Sequence, residues 1–381
     1  MESKIFGIIE RNYCRLENLS SYEKSVFDKV LNCRTEPVPH LFTLCDCCYS
    51  VHPVYKSCKD RMCPVCNGSA SIKWTAKREA ELLSTGYFLL TYTIPSQLRS
   101  LFLANKKLCY NLLFKSASLS LLEGVMNNRR KFHGKAGFFA MLHTWDQRMM
   151  YHPHIHIVIP AGCLSVDCTE WRCSNPSFFL PVEKLSADFR EKLLFCLSKE
   201  LKKGSLNIPD DIDDAENLFE KLNSIPWVVN SQAPGKERKN PGHMVRYLSR
   251  YVAKSAVNES RIRKVENGNV HLSYYDRKNR QGKTEIITEI QFIKRMVLHI
   301  LPKGFKKVRF FGFMTNRYRS ANLALCRMLL GEPLHEQEER DKKLLEDTAF
   351  LFWKYFKVDI TLCRDCGKGH IHFTHRPDAG G

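Results

Sequence analysis

Long apolar runs are missing from this chain of 381 residues. None reaches the roughly 20 residues that a membrane-spanning helix needs, so no helical membrane span is expected. The first ten residues, Met1 to Glu10, lack the basic, apolar and small-residue regions of a secretory signal, which predicts a cytosolic protein. Internal repeats and low-complexity tracts are absent too, so a solenoid or a linker-like chain is not expected. Acid is in short supply: 40 Asp and Glu stand against 59 Lys and Arg, a formal net charge of +19. Apolar residues make up 44% of the chain, enough for a packed core and too many for wholesale disorder. The length suits two or three domains.

The positive charge is unevenly spread. From Lys236 to Arg319 there are 21 Lys and Arg against 6 Asp and Glu, a local excess of 15. An excess of this kind implies a polyanionic partner, and nucleic acid suits it better than membrane because no basic amphipathic anchor is present. Cysteine is plentiful at 16. In a cytosolic chain that number points away from a disulfide framework and toward metal binding. Cys14, Cys109, Cys163, Cys168, Cys173, Cys196 and Cys326 are scattered and read as small buried hydrophobes.

Strand and helix patterns mix without regular alternation. Helices are predicted over 70–83, 106–126, 182–201 and 292–301, with an acidic surface helix in 210–220. Strands are predicted over 87–93, 138–144, 154–159, 163–166, 178–180 and 307–314, and a basic hairpin over 270–287 around Arg277, Lys278 and Arg280. This order favours an α+β fold with an antiparallel sheet. Three consecutive divisions are expected: a helical, metal-binding module over 1–83, a catalytic domain over 84–320, and a helical segment over 321–381.

Six cysteines crowd between Cys45 and Cys66. The pairs Cys45/Cys48 and Cys63/Cys66 have the spacing of a four-thiolate zinc site, each pair placing two sulfurs on one tight turn. Cys47, His52 and Cys58 compete for the same positions, Cys58 being the alternative ligand. Such a closed site is structural. Cys363 and Cys366 form a later pair, a candidate second zinc site, with His370 and His372 nearby.

In His152-Pro153-His154-Ile155-His156 a strand would project His154 and His156 from one face and Ile155 and Ile157 from the other. Two imidazoles on one strand make half a divalent-metal site with positions left for phosphate oxygens. His143, on the preceding predicted strand, is the candidate third ligand, and Gln147 an alternative. In His243 to Lys254, Tyr247 and Tyr251 stack four apart on one helix face, with Arg250 and Lys254 on an adjacent one and Arg246 beside Tyr247. A tyrosine pair is ordinarily half-buried packing, but its hydroxyl is also a capable nucleophile toward a metal-polarised phosphodiester.

Together these residues resemble the HUH endonucleases, which carry histidine, a bulky apolar residue and histidine on a central strand, with one or two nucleophilic tyrosines on a helix. Within that superfamily the chain is most similar to the bacterial rolling-circle insertion-sequence transposases, relatives of the helitrons. The similarity runs through the cysteine-rich CDCC and SCKDRMCPVC, through LHTWDQRMMYHPHIHIVIP, WVVNSQAP and YLSRYVAKSAVNESRI, to LPKGFKKVRFFGF and the final CxxCGKG.

The resemblance implies a magnesium or manganese ion held by His154, His156 and His143. It implies in-line attack by Tyr247 or Tyr251, a 5′-phosphotyrosine, and strand transfer from element ends to target DNA with no nucleotide cofactor. Single-stranded DNA is the implied partner, in the bacterial cytoplasm at the nucleoid; Arg246, Arg250 and Lys254 beside the tyrosines are candidate contacts, and the local charge excess adds Arg277, Lys278 and Arg280. Two other readings explain part of the pattern. A plasmid replication initiator or relaxase shares the same active-site residues. A non-catalytic zinc-ribbon nucleic-acid-binding protein explains the charge and cysteines but leaves HPHIH and YLSRY without a role.

Overall fold

The computed structural model of this protein describes residues 3–35, 41–128, 132–234, 256, 258–276, 279–332 and 343–374. Thirteen strands run through the described residues: β1 (Leu41–Cys45), β2 (Val51–Val54), β3 (Tyr87–Thr93), β4 (Gly137–Trp145), β5 (Tyr151–Pro160), β6 (Gly162–Leu164), β7 (Trp171–Cys173), β8 (Val228–Gln232), β9 (Ile262–Glu266), β10 (Asn269–Asp276), β11 (Gln281–Thr288), β12 (Val308–Gly312) and β13 (Ile371–Thr374). Their pairings are antiparallel. Helices and antiparallel sheets are mixed, an α+β fold. Among the described residues no helix is long and apolar enough to cross a membrane.

Backbone contacts gather the chain into two units that do not follow sequence order. One takes 1–78, 253–297 and 336–381, the other 79–252 and 298–335. The expected consecutive divisions at 83 and 320 therefore differ from the packing. Segment 253–297 falls in the first unit, and the residues after 320 are shared between the two. Helix Arg319–Leu329 packs Leu323 and Cys326 against Leu83, Leu164 and Phe313 in the second unit. Strand β13 instead pairs with β1 in the first.

The second unit is built on a five-stranded sheet in the order β12-β4-β5-β3-β8. The run Tyr87 to Thr93 is β-branched and aromatic, which suits a pleated buried strand, and Pro95 follows its end. One face of the sheet presents Leu90, Tyr92, Ala140, Leu142, Ile155 and Ile157, all buried with residues of helices Lys106–Met126 and Val182–Lys202. Phe189 of the second helix meets Tyr92 edge-on at 5.2 Å, an arrangement aromatic quadrupoles favour. Ile155 and Ile157 are completely buried, each contributing about 1.5–3 kcal/mol by leaving water. Residues between them on the strand must then face the opposite side.

Residues 178–180, expected as a strand, carry only one isolated bridge, from Phe178 to Asn175 across the turn at 176–177. Pro176 and Pro181 flank the segment and remove the donors a ladder needs. The pairing goes to β6 and β7 instead. The polar edge strand β8 (VVNSQ) carries no alternation of apolar residues, and no strand is expected there from sequence.

The first unit holds two three-stranded sheets, β13-β1-β2 and β11-β10-β9. Helix Ser21–Leu31 opens with a capping box between Ser20 and Glu23. Helix Asn67–Ala80 buries Ile72 and Ala76 with Leu351 of helix Thr348–Phe356. The basic hairpin of β10 and β11 has several charges already engaged: Lys283 with Asp276 at 2.7 Å and Arg295 with Glu285 at 2.9 Å. Arg280, exposed at its tip with φ +51°, is not among those pairs. Arg277 and Lys278 lie outside the described residues.

Candidate active site and metal centres

The register of the central strands sets the histidines. His143 of β4 stands directly across from His154 of β5, Met141 across from His156, and Thr91 of β3 faces His156 from the other side. His143, His154 and His156 thereby share one sheet face, and their ring nitrogens lie within 4.8 Å of one another. Ring centroids are 4.5 Å apart for His143 and His156, 4.9 Å for His154 and His156, and 5.3 Å for His143 and His154.

Neighbouring groups orient the rings. Nδ1–H of His154 donates to the His152 carbonyl at 2.7 Å, because a carbonyl only accepts. In the neutral ring that leaves Nε2 as the bare nitrogen, the state a metal ligand needs. The Thr91 hydroxyl holds Nδ1 of His156 at 3.0 Å. Burial, with the neighbouring imidazoles of His156 and His154 and the Lys307 ammonium, pushes the His143 pKa well down, so this ring stays neutral. Trp145 stacks on His143 at 5.3 Å, and Lys307 Nζ lies 4.7 Å over the Trp145 ring. His152 lies 2.9 Å from the Arg99 guanidinium, and burial, with that cation adding to it, lowers its pKa. Three imidazoles on two adjacent strands fit a divalent ion with coordination positions to spare. Gln147, the alternative ligand from sequence, sits exposed in the turn between β4 and β5. Tyr247 and Tyr251, with Arg246, Arg250 and Lys254, lie outside the described residues.

The cysteines sort differently from their spacing. Cys45 and Cys48 are not brought together with Cys63 and Cys66. One group is Cys33, Cys58, Cys63 and Cys66, the other Cys45, Cys48, Cys363 and Cys366, each with its sulfurs within 4.8 Å. Cys58, the alternative from sequence, falls in the first group, and Cys363 and Cys366 join Cys45 and Cys48. Cys33 was missed altogether because a lone cysteine 25 residues before its nearest partner carries no spacing signal. Chain geometry explains the sorting: β1 and β2 form a tight hairpin that keeps Cys45 and Cys48 on its own turn.

In the first group the sulfurs of Cys33 and Cys66 are 3.5 Å apart, Cys58 and Cys66 3.7 Å, and Cys33 and Cys63 3.7 Å. Four thiolates at about 2.3 Å from a tetrahedral zinc lie about 3.8 Å apart, so the donor set fits zinc. Burial pushes the Cys58 thiol up to about 12 and raises Cys63 as well. Such thiols resist ionising alone, and a dication supplies the compensating charge.

The fold and these sites define an α+β protein with a cysteine-rich unit and a cluster of three histidines at the centre of an antiparallel sheet. Residues 5–94 match the family described as "Transposase zinc-binding domain", and residues 137–321, which contain the three histidines, match one described as "Putative transposase". A protein of Sinorhizobium fredii with that second description is 36% identical over 321 residues, covering 82% of this chain and 80% of its own length. The transposase for insertion sequence element IS801 of Pseudomonas savastanoi pv. phaseolicola is 27% identical over 299 residues, covering 76% of this chain and 66% of its own. No solved structure matches the chain. The chain belongs to the insertion-sequence transposases of this family, and it carries their zinc-binding domain.

Proposed function

We propose that the chain moves its element by rolling-circle transposition, nicking single-stranded DNA at the element ends and transferring it through a 5′-phosphotyrosine. The observation that supports this reading most is the gathering of His143, His154 and His156 on one face of the central strands. Magnesium or manganese bound there would polarise the scissile phosphate. Imidazole donors favour manganese over magnesium, which prefers oxygen. The hydroxyl of Tyr247 or Tyr251 attacks phosphorus as its proton leaves. The bond to the 3′ oxygen breaks, freeing a 3′-hydroxyl, and the new phosphotyrosine retains the phosphodiester linkage for transfer. Arg246, Arg250 and Lys254 neutralise phosphate charge along the strand, and Arg277, Lys278 and Arg280 add to affinity. The work takes place in the cytoplasm, on nucleoid DNA.

A single-stranded oligonucleotide carrying the element end, incubated with the protein and manganese, should yield a covalent adduct that survives denaturation. The Tyr247→Phe, Tyr251→Phe double variant should yield none. An adduct of undiminished yield from that variant would falsify the nucleophile assignment.

A further inference from the structure

Residues 322–381 lie outside both matched families, yet they hold two cysteines built into a turn suited to metal. The Cys363 carbonyl accepts the N–H of Gly367 at 3.0 Å, and Gly367, at φ +63°, occupies the left-handed region that glycine enters without strain. The N–H of Gly369 points at Cys366 Sγ, 3.3 Å away. Opposite it, Cys45 Sγ accepts the N–H groups of Cys47 and Cys48, each at 3.4 Å. Backbone donors of this kind orient a metal ligand and stabilise its charge.

The two turns are held face to face by the backbone. Strand β13 pairs with β1, placing Ile371 opposite Cys45. The N–H of Asp46 donates to the His370 carbonyl at 3.1 Å, and the Asp46 carboxylate accepts the His370 N–H at 2.8 Å. His52 Nε2 meets the Asp365 carboxylate at 2.9 Å. Gly369 is pressed so close that a Cβ there would stand 2.6 Å from Cys45 Sγ. No side chain fits without parting the turns. The sulfurs end 3.8 Å apart for Cys45 and Cys366 and 3.7 Å for Cys48 and Cys363. That is the edge of a zinc tetrathiolate, about 3.8 Å, and far from the roughly 2.05 Å of a disulfide.

We propose that Cys45, Cys48, Cys363 and Cys366 hold a second zinc ion, separate from that of Cys33, Cys58, Cys63 and Cys66, which fastens the final segment of the chain onto β1. Four thiolates fill the tetrahedron and leave no position for substrate, so the role is structural. The site does not depend on the DNA chemistry proposed above.

Elemental analysis of the full-length protein tests it directly. The Cys363→Ser, Cys366→Ser double variant should carry one zinc fewer per chain than the unaltered protein. Should that variant fail to fold, thiol footprinting of the unaltered protein decides. On chelator titration followed by alkylation and peptide mass spectrometry, Cys45, Cys48, Cys363 and Cys366 should become reactive together. Unchanged zinc content in a folded double variant would overturn the proposal. So would ready alkylation of Cys363 and Cys366 in zinc-replete protein while Cys45 and Cys48 stay protected.

Discussion

His299 is bonded to the strand end that carries His143 and to the turn after it, and offers a sharp test of how that strand end is supported. Its Nε2–H donates to the Met149 carbonyl at 3.0 Å, in the turn joining β4 to β5, so its bare Nδ1 accepts the Thr144 hydroxyl proton at 3.1 Å. The ring is 4% exposed. Burial pulls its pKa from the ordinary 6.5 to about 4, the bond to Met149 opposing that shift and the ammonium groups of Lys106 and Lys307 adding to it. The unfolded chain therefore takes up a proton near pH 6.5 that the folded ring refuses until about pH 4. The stabilisation is complete above pH 6.5 and is lost as pH falls from there toward 4. At about 1.36 kcal/mol per pKa unit, and with the window cut at pH 5, roughly 2 kcal/mol should disappear between pH 7.5 and pH 5.

Replacement by Gln removes the titration while keeping one donor and one acceptor. His299→Gln should lose about 1–3 kcal/mol at pH 7.5, above the titration window, through poorer hydrogen bonding. Its stability should nevertheless fall by about 2 kcal/mol less than that of the unaltered protein between those two pH values. Urea unfolding followed by tryptophan fluorescence, without added divalent metal, reads both quantities, and carboxylates common to the two proteins cancel. Parallel pH profiles would refute the argument and place His299 in a wetter site than the fold gives it.

The other expectations are simpler. His154→Ala with His156→Ala should remove the manganese-dependent adduct while single-strand affinity, measured by fluorescence anisotropy, changes no more than a few-fold, because distributed phosphate contacts carry binding. A matching loss of binding would make these histidines structural. Phe189→Ala should cost about 3–5 kcal/mol in unfolding free energy, since its ring fills the space between Tyr92 and Trp227; a cost under about 1 kcal/mol would mean that the helix-to-sheet contact is not the core. Arg280→Ala should make the slope of log affinity against log salt shallower by about 0.7, and an unaltered slope would leave the hairpin tip out of the DNA contact.

Legibility tracked how local each signal was. The period of two in HPHIHIVI identifies the histidine face, because Ile155 and Ile157 must be buried and alternation then turns His154 and His156 the other way. The His143 placement needed only the next strand back. Spacing failed for the cysteines because ligand sets are chosen by tertiary approach: Cys33 belongs with Cys66, and Cys45 with Cys366. No local rule links residues 321 positions apart. The edge strands β8 and β13 were illegible for a related reason. An edge strand has little burial to enforce alternation, so its sequence reads as loop.

The pairing of β1 with β13 also has a consequence for synthesis. The partner of β1 is made more than 300 residues after it. At about 5–20 residues per second, one side of β1 waits on the order of tens of seconds for its hydrogen-bonding partner. An unpaired edge in a nascent chain is a template for joining neighbouring chains. A broken message or an early stop would leave that edge open permanently. A copy truncated before β13 would then expose a sticky strand while still carrying the histidine sheet.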